Sequence, residues 1–249
     1  MKNKTKKIIT LLLSVSTVCL TGKENVPNPN AQSTEITQRI SAGCSPSTSQ
    51  TDLDVNNVRT TIMAGGDMWW NLSDARYEIP KGGNKHSMFA GALWIGGVDD
   101  GGQLKVAAMT YRQSGNDFWP GPLNTSNATI SPEECNKWDK HFKLERSDVE
   151  EYVARFGIDP TYVIPQSILD WPAHGDPTQG QDEFLAPFFD VNGNGLYEPY
   201  DGDYPDYNIT GTNDAAKLYG DQTLFWIFND KGNIHTETEA EPLGVEIHA

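Results

Sequence analysis

Residues 185–205 read LAPFFDVNGNGLYEPYDGDYP. Pro187 precedes the Asp- and Asn-rich run, and Gly202 and Pro205 follow it. Proline fixes φ and removes a backbone donor, and glycine weakens a helix interior by about 1 kcal/mol. No long helix can enter or leave this stretch. Whatever the run does, it does as a stand-alone loop and not as part of a helix–loop–helix.

The spacing inside the run points to a cation. With Asp190 as position 1, Asn192 stands at position 3, Asn194 at 5, Gly195 at 6, Leu196 at 7, Glu198 at 9 and Asp201 at 12, the register of an oxygen-ligand calcium loop. Odd positions of a tight loop turn their oxygens toward one centre, and the glycine permits the bend. Leu196 would offer its backbone carbonyl, Glu198 would bind directly or through water, and Asp201 would close the sphere. Asn192 and Asn194 are neutral, and Asp201 is shorter than the usual closing Glu. Both departures weaken binding toward the ~0.1–1 mM range of extracellular modules. The expectation is a stand-alone structural Ca²⁺ site at Asp190, Asn192, Asn194, Leu196, Glu198 and Asp201, which Asp203 and Asp206 could extend. The alternative is an ion-free turn, because Asx and Gly favour turns for local reasons as well.

The rest of the chain reads as short strands. NNVRTTIMAGGDMWW alternates and turns at a glycine pair. SMFAGALWIGGVDDGGQLKVAAMTYRQ reads as two strands around a turn at Asp99–Gly102, and DQTLFWIFND as another strand. Ser131 followed by Pro132 marks a helix start over 131–139. Ser147, Glu150 and Gly157 mark a second helix over 147–156, with Ser147 as its cap. The predicted fold is mainly β, sandwich-like and antiparallel, with one or two short inserted helices and the calcium loop.

The start of the chain bears on compartment. MKNKTKK followed by IITLLLSVSTVCL has the basic and apolar regions of a secretory signal over residues 1–22, too short to span a bilayer. Residues 23–53 are polar and read as a disordered leader, and residues 54–249 as a β-rich secreted domain. Cys19 would leave with the signal. Export would permit Cys44 and Cys135 to pair, and two unpaired thiols are the alternative. A formal net charge of −15 argues against a nucleic-acid partner.

Other side chains are candidates of lower specificity. Trp69, Trp70, Trp94 and Trp226 lie on strand-like segments and are expected in the core. Trp119 and Trp171 sit beside prolines and are expected at the surface, where they could stack on a sugar. His174, Asp176 and Asp182 could ligate a metal, although two or three such residues in a loop are weak evidence. The acidic pairs Asp99–Asp100 and Glu133–Glu134 do not by adjacency provide the carboxylate separation of a glycosidase. The sequence contains no G-x-S-x-G, no H-E-x-x-H and no phosphate-cradling loop.

From Leu53 onward the chain resembles a family. The blocks NNVRTTIMAGGDMWWNLSDARYEIPKGGNKHSMFAGALWIGGVDDGGQLKVAAMTYRQSGNDFWPGP, LDWPAHGD, LAPFFDVNGNGLYEPYDGDYP and GDQTLFWIFNDKGNIHTET are similar to the N-terminal part of large secreted proteins of Bacteroidota. Those proteins are exported by the type IX secretion system and carry a C-terminal sorting domain. The resemblance implies contact with the secretion machinery, release or display at the outer cell surface, and a domain incomplete at its C-terminus. It implies no reaction. The expected function is a calcium-binding, non-enzymatic module for adhesion or matrix contact, with a glycan or other surface ligand. The alternative is the leading domain of a secreted glycan-active hydrolase.

Overall fold

A computed structural model describes residues 42–112, 114–211 and 215–249. The predicted signal segment and most of the predicted leader lie outside these residues. The strands of the first half are β1 (Gln50–Leu53), β2 (Arg59–Met63), β3 (Asp67–Met68), β4 (Tyr77–Glu78), β5 (His86–Met88), β6 (Gly91–Ala92), β7 (Trp94–Val98), β8 (Leu104–Ala108) and β9 (Trp119–Pro120). Helix α1 (Pro132–Trp138), strand β10 (Phe142–Glu145) and helices α2 (Arg146–Arg155) and α3 (Gln166–Leu169) follow. The chain then returns to strands: β11 (Phe188–Phe189), β12 (Tyr204–Pro205), β13 (Gln222–Phe225), β14 (Ile227–Asn229) and β15 (Glu246–His248).

Every paired strand is antiparallel. The largest sheet runs β5-β4-β2-β3-β6, with β1 also on β2. Smaller sheets join β15-β14-β9, β7-β8, β10-β13 and β11-β12. The mainly antiparallel β class with short helices is therefore as the sequence indicates. The β7–β8 hairpin turns where expected: the Asp99 side chain accepts the Gln103 N–H at 2.8 Å, and Gly102 takes a φ of +80°.

The two main helices differ in how they begin. Ser131 caps α1 by accepting the Glu134 N–H at 3.2 Å, and Pro132 occupies the first turn. Ser147 does not cap α2. Strand β10 runs straight into the helix, Glu145 stands at the N-cap with no side-chain cap bond, and the Arg146 N–H goes to the Asp221 carbonyl at 2.9 Å. Glu150 pairs with Arg146 at 2.9 Å rather than reaching back to a cap.

The main core gathers Leu144, Val149, Tyr152, Ile168, Trp171 and Tyr207 from the helices, β10 and the segment around β12. A smaller core joins Ala107, Met109, Phe118 and Phe228. The tryptophan expectations need correction. Trp119 is 2% exposed and Trp171 4%, so both are core residues. Trp119 lies on β9 against β14, and the Trp171 indole N–H finds the Pro187 carbonyl at 3.0 Å. A neighbouring proline ended the backbone pattern without turning the ring outward. Trp70 is buried, Trp69 and Trp226 are half-buried, and Trp94 is exposed.

Residues 44–53, read from sequence as the end of a disordered leader, are folded. Cys44 and Cys135 form a disulfide with Cα atoms 5.8 Å apart, packed against Trp119. The Cys44 N–H donates to the Gly232 carbonyl at 2.9 Å. A Cβ on Gly232 would stand 2.4 Å from the Trp119 Cβ, so this close approach requires glycine. Thr48 and Ser49 donate to the Asp139 carboxylate. Arg112 joins the Ser47 carbonyl to the fully buried Asp67, whose carboxylate also takes the Trp70 indole N–H at 3.0 Å. Polar composition marked this strap as solvent-bound, but its polar groups are spent on specific partners.

Candidate functional site

The Asp190 loop is held at its base by a two-residue ladder. Phe188 pairs with Pro205 and Phe189 with Tyr204, whose rings stack at 5.0 Å. The fully buried Asp203 carboxylate then ties the two arms together. One oxygen accepts the Val191 N–H at 2.9 Å and the other accepts the Glu198 N–H at 2.8 Å. Sequence reading offered Asp203 as an extension of an ion site; it is a fastener of the loop. Its burial depends on the β11–β12 pairing, which no local spacing announces.

The domain also grips the loop from outside. The Tyr152 hydroxyl donates to the Pro199 carbonyl at 2.6 Å, and Tyr197 donates its hydroxyl to the Ile168 carbonyl at 2.7 Å. Burial pushes the Tyr152 phenol well above its ordinary range, with the charge of Asp203 adding to it. The Tyr197 N–H donates to His174 Nε2 at 2.9 Å, and His174 Nδ1 faces the Glu183 carbonyl at 2.7 Å. Both ring nitrogens of His174 are thus engaged with backbone, which leaves none for a metal. Asp176 caps the short turn at Thr178, and Asp182 accepts the Phe184 N–H at 3.2 Å. The structure does not assemble His174, Asp176 and Asp182 as a ligand set.

Inside the loop the Asx residues share one hydrogen-bond system. Asp190 Oδ1 accepts the Gly193 N–H at 2.6 Å and the Asn194 N–H at 3.3 Å, and Oδ2 accepts the Gly195 N–H at 2.6 Å. The bond from Gly195, which outweighs the opposing effect of burial, and then the bonds from Gly193 and Asn194 hold the Asp190 carboxyl below the usual carboxylate range. Gly193 and Gly195 take φ of +75° and +82°, which lets successive N–H groups turn inward. Asn192 Oδ1 accepts the Asn194 N–H at 3.0 Å, and Asn194 Oδ1 accepts the Leu196 N–H at 2.8 Å. The Asn194 amide donates to Glu198 Oε2 at 2.7 Å. The Asp201 side chain is exposed, and its N–H donates to the Glu198 carbonyl at 2.8 Å.

Asp190, Asn192, Asn194 and Glu198 are therefore brought together and Leu196 joins through its backbone N–H, while Asp201 is tied only to the Glu198 carbonyl by its own backbone N–H. The donor set suits a hard cation. A carboxylate offers about four lone-pair sites and an amide oxygen two. Asp190 uses three of its sites on N–H groups, and Asn192 and Asn194 use one each. Among the described residues no group of three or more His, Cys, Asp or Glu is placed to hold a metal. A site here would rest on mixed carboxylate, amide and carbonyl oxygens.

The acidic pairs have structural places. Asp99 shapes the hairpin turn, and Glu134 is buried with the Gln181 amide at 2.8 Å and Lys137 at 3.3 Å. A buried polar centre that the sequence did not announce surrounds His235. Its ring nitrogens face the Val106 and Asp230 carbonyls at 2.8 and 2.7 Å, between the buried Asp117 and Asp230. Those two carboxylates take backbone N–H groups of residues 237–245, including Glu237 at 3.0 Å and Gly244 at 2.9 Å, and so fold the last segment onto the domain.

No family model, curated protein or solved structure matches the chain. Among the described residues no helix is long and apolar enough to cross a membrane.

Proposed function

We propose that residues 190–201 bind one Ca²⁺ and brace a non-enzymatic module that works outside the cell. The supporting observation is the Asp190 carboxylate cradled by three loop N–H groups, with free lone pairs on Asn192 and Asn194 beside it. Asp190, Asn192, Asn194, the Leu196 carbonyl and Asp201 are the ligands, with Glu198 direct or through water. The basic-then-apolar start and the resemblance to type IX-exported proteins support delivery to the outer surface by secretion machinery. The disulfide suits such an oxidising compartment.

The ion's role is structural. A ligand that binds only the folded state adds RT ln(1 + [L]/Kd), about 1.4 kcal/mol at ~1 mM Ca²⁺ and a Kd of ~0.1 mM. For a domain of this size that raises Tm by about 3 °C. Thermal melts of the wild type with Ca²⁺ and with EDTA should differ by that amount. Asp190→Ala and Asp201→Ala should melt low in both. A wild-type melt indifferent to chelator and to added Ca²⁺ would make the loop an ion-free turn.

A further inference from the structure

Trp94 is exceptional in this chain. Four tryptophans, Trp70, Trp119, Trp138 and Trp171, are at least nine-tenths buried, whereas Trp94 is 69% exposed. It is nevertheless fixed, because its indole N–H donates to the Met109 carbonyl at 2.7 Å. That bond uses the only donor of the indole, so the ring presents an apolar π-face. Tyr111, 47% exposed, stands nearby and is fixed by edge contacts with Trp70 at 6.2 Å and Phe89 at 5.9 Å. Both residues line a cavity of about 220 Å³, together with Ala90–Ala92, Met109 and Thr110.

Size and charge narrow the occupant. The cavity is smaller than the ~300–1,000 Å³ of drug-sized pockets, so it takes one ring of a larger molecule. No charged side chain lines it, and the protein carries a net charge of −15 that repels acidic polymers. A fitting group has a flat apolar face for the aromatic walls and hydroxyls for the Tyr111 and Thr110 oxygens. We propose that Trp94 and Tyr111 flank a binding site for one ring of a neutral glycan. Because both rings are already immobilised, binding requires little further ordering. The site shares no residue with the Asp190 loop, so the two proposals fail independently.

The test is calorimetric titration of the mature chain with cellohexaose, laminarihexaose, mannohexaose and chitohexaose at millimolar concentration, with trigalacturonate as an acidic control. At least one neutral sugar should bind, with EDTA having no effect. Trp94→Ala should weaken binding by about tenfold or more, Trp94→Phe by less, and Tyr111→Phe should lose only the hydroxyl contribution. Trp94 is exposed, and near-ultraviolet circular dichroism would establish that each variant is folded. Failure of all four neutral sugars overturns the proposal, as does equal binding by Trp94→Ala or stronger binding of trigalacturonate. A dimer in sedimentation that Trp94→Ala dissolves would also overturn it. In that case the exposed ring, with Val98 and Leu104 on the same hairpin, serves a second copy of the chain.

Discussion

Replacing the Cys44–Cys135 bridge should be among the most damaging changes that touch no candidate site. The bridge spans a sequence separation of 91 residues. Closing a loop of that length removes about 15 cal/mol/K from the unfolded chain, or about 4.6 kcal/mol at 25 °C. Folded-state terms act in the same direction. Both cysteines are buried against Trp119, and Cys44 holds a strap that ends in β1. For roughly 200 folded residues the unfolding entropy is about 0.4 kcal/mol/K, so the expected fall in Tm is about 10 °C. The assay is a pair of melts without reductant, wild type against Cys44→Ala/Cys135→Ala, both with Ca²⁺ present. Hydrogen exchange should show the amides of Gln50–Leu53 opening early in the variant. A Tm shift below about 2 °C would refute the reasoning, because it would leave no room for the loop-entropy effect. So would a thiol titration of the unfolded, unreduced protein expressed from residue 23 that finds both thiols free.

Two further outcomes follow from buried groups. Asp203→Asn should destabilise by about 1–3 kcal/mol in urea titration, because one of its two N–H partners then faces an amide donor; Asp201→Asn, at an exposed position, should cost much less without Ca²⁺, and an equal cost for both would refute the fastener role. Burial against Trp226 holds the His141 imidazole down from 6.5 to about 4, so the folded state resists a proton that the unfolded chain accepts. The stability this gives is intact above about pH 6.5 and is lost as pH falls toward 4, by about 3 kcal/mol in all. Urea titrations of wild type and His141→Phe at pH 7.5 and pH 4.5 check this, and an unchanged difference between the two proteins across that range would refute it.

The parts of this molecule that sequence announced are those whose cause is local. Ser131 before Pro132 caps α1 because capping needs only a hydroxyl and an N–H three residues on. The Asp99–Gly102 turn and the inward N–H groups of Gly193 and Gly195 have the same short-range origin. Ser147 failed because β10, paired to β13, delivers the chain into α2 already satisfied at Arg146. Trp119 and Trp171 were misplaced because burial is decided by what packs over a ring, and Pro120 and Pro172 say nothing of that. Asp203 was given the wrong role, and His235 escaped notice, for a related reason. Each is defined by backbone groups brought to it from elsewhere in the chain, and an isolated Asp or His carries no mark of such company.

The strap has a consequence for the order in which the molecule assembles. Cys44, near the beginning of the described residues, bonds through its backbone to Gly232, and the Asn233 amide returns to the Cys44 carbonyl at 3.2 Å. Asp54, just past β1, is held by Gln222. A polypeptide that emerges amino end first must therefore wait until Gly232 and Asn233 have emerged before the Cys44 segment finds its place. Contacts of such range make folding slow, because chain entropy is lost long before the contact repays it. A product truncated ahead of Gly232 would keep Cys44 without the backbone that guides it to Cys135, and its thiol would be open to the wrong partner. The segments around Cys44–Asp54 and Gln222–Asn233 come into place together, and only when both are present.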